Sequence, residues 1–230
     1  MRAPGAPRPA TIMAVLRAVT SLVAPPLCAL CGEPCNLPDM LCRTCDRGVS
    51  ALHATRTVLP AGLEVISAAP YEGIARRLVT KLKFSARLAL ADVAADRMVR
   101  AWGATRHGFL VPVPAAPARA RGRGYDHAYA LARVVQDRTL ASVQLDLARD
   151  DGPRQVGRPR QERIVDPPRI RRINPNVGPP PDDVWLVDDV VTTGATLEAC
   201  AAVLREAGAE RVRALTFARA DPLGPAARAA

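Results

Sequence analysis

Two groups of residues in this 230-residue chain have types and spacings that could do chemistry. The first is Asp188-Asp189, followed by Thr192-Thr193-Gly194-Ala195-Thr196. Threonine hydroxyls, the orphan amides at a helix start and the helix dipole can all be aimed at one anion. Gly194 would let the backbone approach a ligand closely or take a positive φ. Bare carboxylates repel the same anion, so the acid pair must address another part of a ligand. Ribose hydroxyls or a Mg²⁺ ion fit, because both want oxygen acceptors. The competing reading is an ordinary acidic turn between a strand and a helix, capped by threonine.

The second group is Cys28 and Cys31 with, ten residues on, Cys42 and Cys45. Each CxxC can act as a pincer carried on a turn, and two of them supply the four thiolates of a tetrahedral zinc site. Gly32 suits the tight turn that such a knuckle makes. A disulfide framework does not fit a cytosolic chain, and a redox CxxC needs no second copy. Cys35 is left as a spare thiol, and Cys200 reads as a small buried hydrophobe.

These residues need elements to hold them. Val184-Trp185-Leu186-Val187 is short and apolar enough to be a buried parallel strand leading into the acid pair. After the threonines, Leu197, Cys200, Ala201, Leu204 and Ala207 recur at the spacing of a helix packed on a sheet, with Gly208 placed as its C-terminal cap. Arg211 to Ala218 gives the next strand. Upstream, Val58 to Ala69 predicts one or two strands. Ile74, Leu78 and Leu82 mark a helix with Arg76, Arg77, Lys81 and Lys83 on other faces, read as a solvated basic surface or a phosphate contact. Leu88 to Trp102 predicts a second helix, with Asp92, Asp96, Arg97 and Arg100 on its polar face.

Phe109 to Val113 predicts another buried strand, and it runs into Arg119, Arg121 and Arg123 in a Gly-rich loop before a helix from about Asp126 to Gln136. Val143 to Leu147 predicts a further strand. Residues 149–183 carry eight Arg and eight Pro with few large apolar side chains, so they are expected to form a mobile loop, either a hood over a ligand or a linker.

Composition narrows the class. Hydrophobic residues make up 49% and aromatics 3%, which predicts a core of Ala, Val and Leu and argues against an aromatic stacking platform for single strands. The formal charge of +10 comes mostly from arginine and suits phosphate-bearing partners, although a compositional bias toward Arg and Ala accounts for it equally well. No apolar run is long enough to span a membrane. Ile12 to Ala24 is broken by Arg17 and reads as an amphipathic helix rather than a signal peptide, so a cytoplasmic protein is expected. The expected organisation is a disordered start and amphipathic helix over 1–24, a zinc-ribbon-like module over 25–50, a main domain over 58–220 and a tail over 221–230.

The acid pair with its Thr-Gly loop resembles the phosphoribosyl-pyrophosphate (PRPP) loop of type I phosphoribosyltransferases. The wider pattern resembles the ComF family of phosphoribosyltransferase-like proteins, associated with bacterial DNA uptake. That resemblance rests on the cysteine knuckle, Tyr71-Glu-Gly, Lys81-Leu-Lys83-Phe84, Val111-Pro-Val-Pro114, Arg121 to Ala128, Gln155 with Arg163, and Asp188 to Thr196. The family pattern RGFNQA reads Arg123-Gly124-Tyr125-Asp126-His127-Ala128 here, and the Asn expected three residues past Arg163 is Asp166.

The resemblance implies an α/β fold: a Rossmann-like parallel sheet flanked by helices, with a small N-terminal zinc-ribbon module held by four cysteines. By it, Asp188 and Asp189 meet the ribose hydroxyls, and Thr192, Thr193, Gly194, Ala195 and Thr196 wrap the 5′-phosphate. Arg121, Arg123 and Arg163 would serve the pyrophosphate and hood side. It implies structural zinc, Mg²⁺ with PRPP or another phosphorylated ribose, and transfer of the phosphoribosyl group to a nitrogen nucleophile. The alternative it leaves is a non-catalytic accessory protein that binds single-stranded DNA or DNA-uptake proteins.

Overall fold

The computed structural model describes residues 26–35, 40–85, 88–105, 107–116, 126–150, 168–174 and 178–220. The chain divides into two compact units, one ending at Val49 and the other beginning at Ser50. Among the described residues no helix is long and apolar enough to cross a membrane. The expected N-terminal helix, the 221–230 tail, Arg119, Arg121, Arg123 and Arg163 lie outside the described residues.

The first unit is built on turns. An isolated antiparallel bridge joins Leu27 to Pro34. Cys28 N–H donates to Glu33 O and Gly32 N–H to Cys28 O, with Gly32 at φ +83°. Helix α1 (Arg43–Ser50) follows, burying Cys45 and Val49 beside Leu30 and Leu41. So few apolar side chains make a very small core.

Six strands of the second unit are β1 (Thr55–Val58), β2 (Glu64–Pro70), β3 (Phe109–Pro112), β4 (Ser142–Val143), β7 (Asp183–Val191) and β8 (Arg211–Arg219). They form one sheet in the order β1-β2-β8-β7-β3-β4. Only β1 runs antiparallel to its neighbour; all other pairings are parallel. Helices α2 (Gly73–Ser85), α3 (Leu88–Trp102), α4 (His127–Asp137) and α5 (Ala195–Glu206) flank it. The fold expected from the sequence is therefore present: a mostly parallel α/β sheet with flanking helices, and an N-terminal cluster of four cysteines.

Alternation along the strands divides the core. Val184 and Leu186 of β7, Val111 of β3 and Ala214 of β8 bury against Leu197, Cys200, Ala201 and Leu204 of α5. Trp185, on the opposite face of β7, meets Trp102 of α3 edge to face at 5.3 Å. Arg213 lies 4.2 Å from the Trp185 ring centroid and pairs with Asp183 at 2.6 Å.

Three boundaries differ from expectation. Strand β7 continues through the acid pair to Val191, because Asp188, Val190 and Val191 keep their register with β8. The single strand expected over Val143 to Leu147 is two: β4, and β5 (Leu147–Arg149). The third is β6 (Ile170–Arg172), which pairs antiparallel with β5 from inside the stretch expected to be mobile. An ion pair between Asp146 and Arg172, both largely buried, ties that small sheet together at 3.0 Å.

Candidate functional site

In an open parallel sheet, ligands bind beyond the carboxyl ends of the strands, where successive connections leave in opposite directions. Here β3 connects through α4 to β4 on one side, while β7, the other neighbour of β3, connects through α5 to β8. The switch point thus falls between β3 and β7. A cavity of about 310 Å³ lies there, lined by Val113 and Pro114 after β3 and by Asp188, Asp189, Thr192 and Thr196. Tyr71, Lys83, Asp126, His127 and Arg149 also reach its wall.

Adjacent residues on a strand point to opposite faces, so the two carboxylates have different surroundings. Asp189 is buried and pairs with Lys83 Nζ at 3.0 Å. Asp188 is half-buried, and its Oδ1 accepts a hydrogen bond from Asp189 N–H at 2.8 Å. Burial first, and the neighbouring Asp189 carboxylate second, push the Asp188 carboxyl up to about 8. Their surroundings thus make the two acids inequivalent.

The loop after β7 turns into α5 at Gly194, whose φ is +86°. This position needs glycine twice over. An L-residue resists that φ, and a Cβ here would stand 2.4 Å from Leu59 Cδ1. As N-cap, Gly194 supplies no side-chain acceptor to the first-turn amides of α5. Ala195 N–H reaches Thr193 Oγ1 only at 3.5 Å. An anion seated there would meet those amides at the positive end of the helix dipole.

At the start of α4, Asp126 Oδ1 accepts from Tyr129 N–H at 3.2 Å, which is an ordinary N-cap. In the sequence Lys83 was one of four cations on a basic helix and part of the Lys81-Leu-Lys83-Phe84 motif, with no assigned partner. Its place near the C-terminal end of α2 is what lets its ammonium reach Asp189. His127, which stands in the Arg121 to Ala128 stretch of the resemblance, reaches the cavity wall, and so does Arg149, which had no sequence signal beyond residue type.

The cysteine group stands by itself in the first unit. The sulfurs of Cys28, Cys31, Cys42 and Cys45 all lie within 4.8 Å of one another, and Cys31 Sγ is 3.6 Å from Cys42 Sγ. Four sulfurs at about 2.3 Å from a tetrahedral Zn²⁺ would be separated by roughly 3.8 Å, so the donor set fits that ion. Burial opposes ionisation of Cys28, but the amides of Cys31, Cys42 and Leu30 outweigh it and lower the thiol to about 6. Burial and the three neighbouring thiols push Cys45 up. Cys35 lies outside the group of four. Cys200, enclosed in the core, is pushed up to about 12, mainly by burial, and is an inert packing residue.

The phosphoribosyl transferase domain family matches residues 121–226, which contain β7, the loop and α5. No curated protein matches the sequence. Among solved structures, the chain is similar to the allosteric regulatory enzyme of purine biosynthesis at 19% identity, with a TM-score of 0.36. That alignment covers 55% of this chain and 25% of the enzyme, so the chain spans about a quarter of that relative's length. It is also similar to orotate phosphoribosyltransferase from Aeropyrum pernix at 18% identity, covering 75% of this chain and 90% of that one, with a TM-score of 0.34. With the family match, the sheet and its flanking helices are those of a type I phosphoribosyltransferase fold.

Proposed function

We propose that this phosphoribosyltransferase-like chain binds PRPP in the cavity between β3 and β7 and displaces its pyrophosphate with a nitrogen nucleophile. The observation that carries this reading is a coincidence of place. The acid pair, Thr192 of the threonine loop and Thr196 in the first turn of α5 all line one cavity at the switch point of the sheet. In this reading Thr192 to Thr196 and the first amides of α5 hold the 5′-phosphate, while Asp188 and Asp189 accept from the ribose hydroxyls.

Mg²⁺ suits the oxygen donors of the acid pair and, when bound, neutralises diphosphate charge. Lys83 fixes the orientation of Asp189. Breaking the C1–O bond to pyrophosphate develops positive charge on the ribose. The chain's contribution is then to position the sugar beneath its nucleophile and to keep carboxylate oxygens beside the developing charge. Arg121, Arg123 and Arg163 are assigned to the pyrophosphate and hood side from the sequence resemblance. Cys28, Cys31, Cys42 and Cys45 hold a structural zinc ion.

The ComF-like combination of cysteine knuckle and transferase-like domain extends the reading to a DNA-uptake setting in the cytoplasm. A basic face on α2, where Arg76, Arg77 and Lys81 are exposed, favours a second reading as a nucleic-acid accessory protein. Calorimetry of PRPP with and without Mg²⁺, then a screen for acceptor-dependent pyrophosphate release, separates the two. Thr193→Val should weaken PRPP binding at least about tenfold, since hydrogen bonds to charged groups contribute roughly 1.5–3 kcal/mol. A folded protein that ignores PRPP, with Thr193→Val indistinguishable from it, would remove the transferase assignment.

A further inference from the structure

The loop before α5 does not stand alone, because the β1–β2 turn packs against its back. Leu59 N–H donates to Leu63 O and Gly62 N–H to Leu59 O, so the turn is internally fixed. The Leu59 side chain, 4% exposed, sits directly over the Cα of Gly194. Across 137 positions of sequence, Ala61 N–H donates to Glu198 Oε1 at 2.8 Å. Residues 194 and 198 share a face of α5, whereas Thr196 lies half a turn away and lines the cavity. One face of the first turn of α5 is thus held by β1–β2 and the other is presented to the ligand.

We propose that the β1–β2 turn is a latch on the anion loop, with Leu59 and Glu198 as positioning residues. They hold residues 192–197 in the geometry that accepts a phosphate, although neither touches it. This deepens the assignment of the loop as a phosphate cradle, and rests on it. The latch also explains a carboxylate one turn into a helix whose amino end is meant for an anion. Glu198 is turned onto the Ala61 amide, away from the cavity. A charge-assisted hydrogen bond to a backbone donor is about twice as strong as a neutral one, which suits a tether between segments so far apart in sequence.

The proposal predicts a sign opposite to simple electrostatics. Removing a carboxylate near an anion site should tighten anion binding, whereas losing the latch should weaken it. Glu198→Ala is expected to weaken ribose 5-phosphate binding roughly three- to tenfold, the usual effect of one lost hydrogen bond. Glu198→Gln keeps the acceptor and should stay within about twofold of wild type, as a conservative rescue. In the ligand-free protein, amide hydrogen exchange over residues 192–197 should speed up about tenfold in Glu198→Ala and in Leu59→Ala, with exchange in Glu198→Gln near wild type. Tighter binding in both Glu198 variants, or unchanged exchange in Glu198→Ala, would overturn the latch. Should wild type not bind ribose 5-phosphate, the cradle assignment fails, and the exchange measurement still decides the latch.

Discussion

The cysteine knuckle and the cavity at the carboxyl ends of β3 and β7 reach chemical competence by opposite routes. The knuckle draws its four sulfurs from an 18-residue stretch of turns and one short helix, around a very small apolar core. The cavity gathers Tyr71, Lys83, Asp126, Arg149 and Asp188, residues up to 117 positions apart, and depends on a fully packed sheet to do so. A site made of local turns needs its ion to be stable, whereas a site made by a sheet is stable before any ligand arrives. The contrast can be broken by experiment.

The largest effect is expected at the knuckle. Structural zinc contributes on the order of 10–16 kcal/mol of apparent binding free energy, which in such a module is folding free energy. Cys42→Ser should release the metal and unfold the first unit, while Cys35→Ser retains one zinc per chain by elemental analysis. Equal metal loss in both would show that the ligand set is wrong.

At the cavity the damage should be graded. Gly194→Ala combines left-handed strain with the Leu59 clash and should cost about 2–4 kcal/mol in denaturant unfolding. Leu59→Ala in the same chain should recover the steric part but leave the backbone strain. Full recovery would mean that φ at 194 does not matter.

Lys83→Met strands the buried Asp189 carboxylate and should cost about 1–3 kcal/mol, less than a fully buried pair because Lys83 is partly exposed. Adding Asp189→Asn should restore most of the stability without restoring PRPP binding. A double mutant no more stable than Lys83→Met would show that the ion pair does not couple the two residues.

The smallest effect is a pH signature. The Asp188 carboxyl is raised from 3.8 to about 8 in the folded protein, so the folded state holds a proton that the unfolded state has lost between those values. The native state is therefore destabilised progressively as pH rises through that window, and fully so above about 8. Asp188→Asn should raise the melting temperature of the ligand-free protein at pH 9 and leave it nearly unchanged at pH 4. An equal gain at both would mean that Asp188 is ionised throughout.

The same contrast explains what could be read without coordinates. Cys28, Cys31, Cys42 and Cys45 were legible because spacing alone encodes a local turn site. The strand, acid pair, TTGAT and helix were legible because that unit is also local, a single β–loop–α segment. The pairing of Lys83 with Asp189 was not legible, since it is fixed by tertiary placement and no periodicity records that. The division of labour between Asp188 and Asp189 was hidden for a related reason. Two adjacent acids look equivalent until the strand is seen to run past them to Val191, which sends them to opposite faces. The β1–β2 turn behind Gly194 was equally invisible, because Leu59 and Ala61 carry no signal of their own.

The edge-to-face pair of Trp102 and Trp185 gives this contrast its own optical reporter. They are the only two tryptophans in the sequence, both almost completely buried in the second unit, with the Arg213 guanidinium beside one ring. Intrinsic tryptophan emission therefore follows the sheet. Cobalt substituted at the cysteines would absorb in the visible through the d–d bands of a tetrahedral site, with thiolate charge transfer in the near ultraviolet, and so report on the knuckle. A titration with denaturant, read at both wavelengths in one cuvette, records the two units as separate colours.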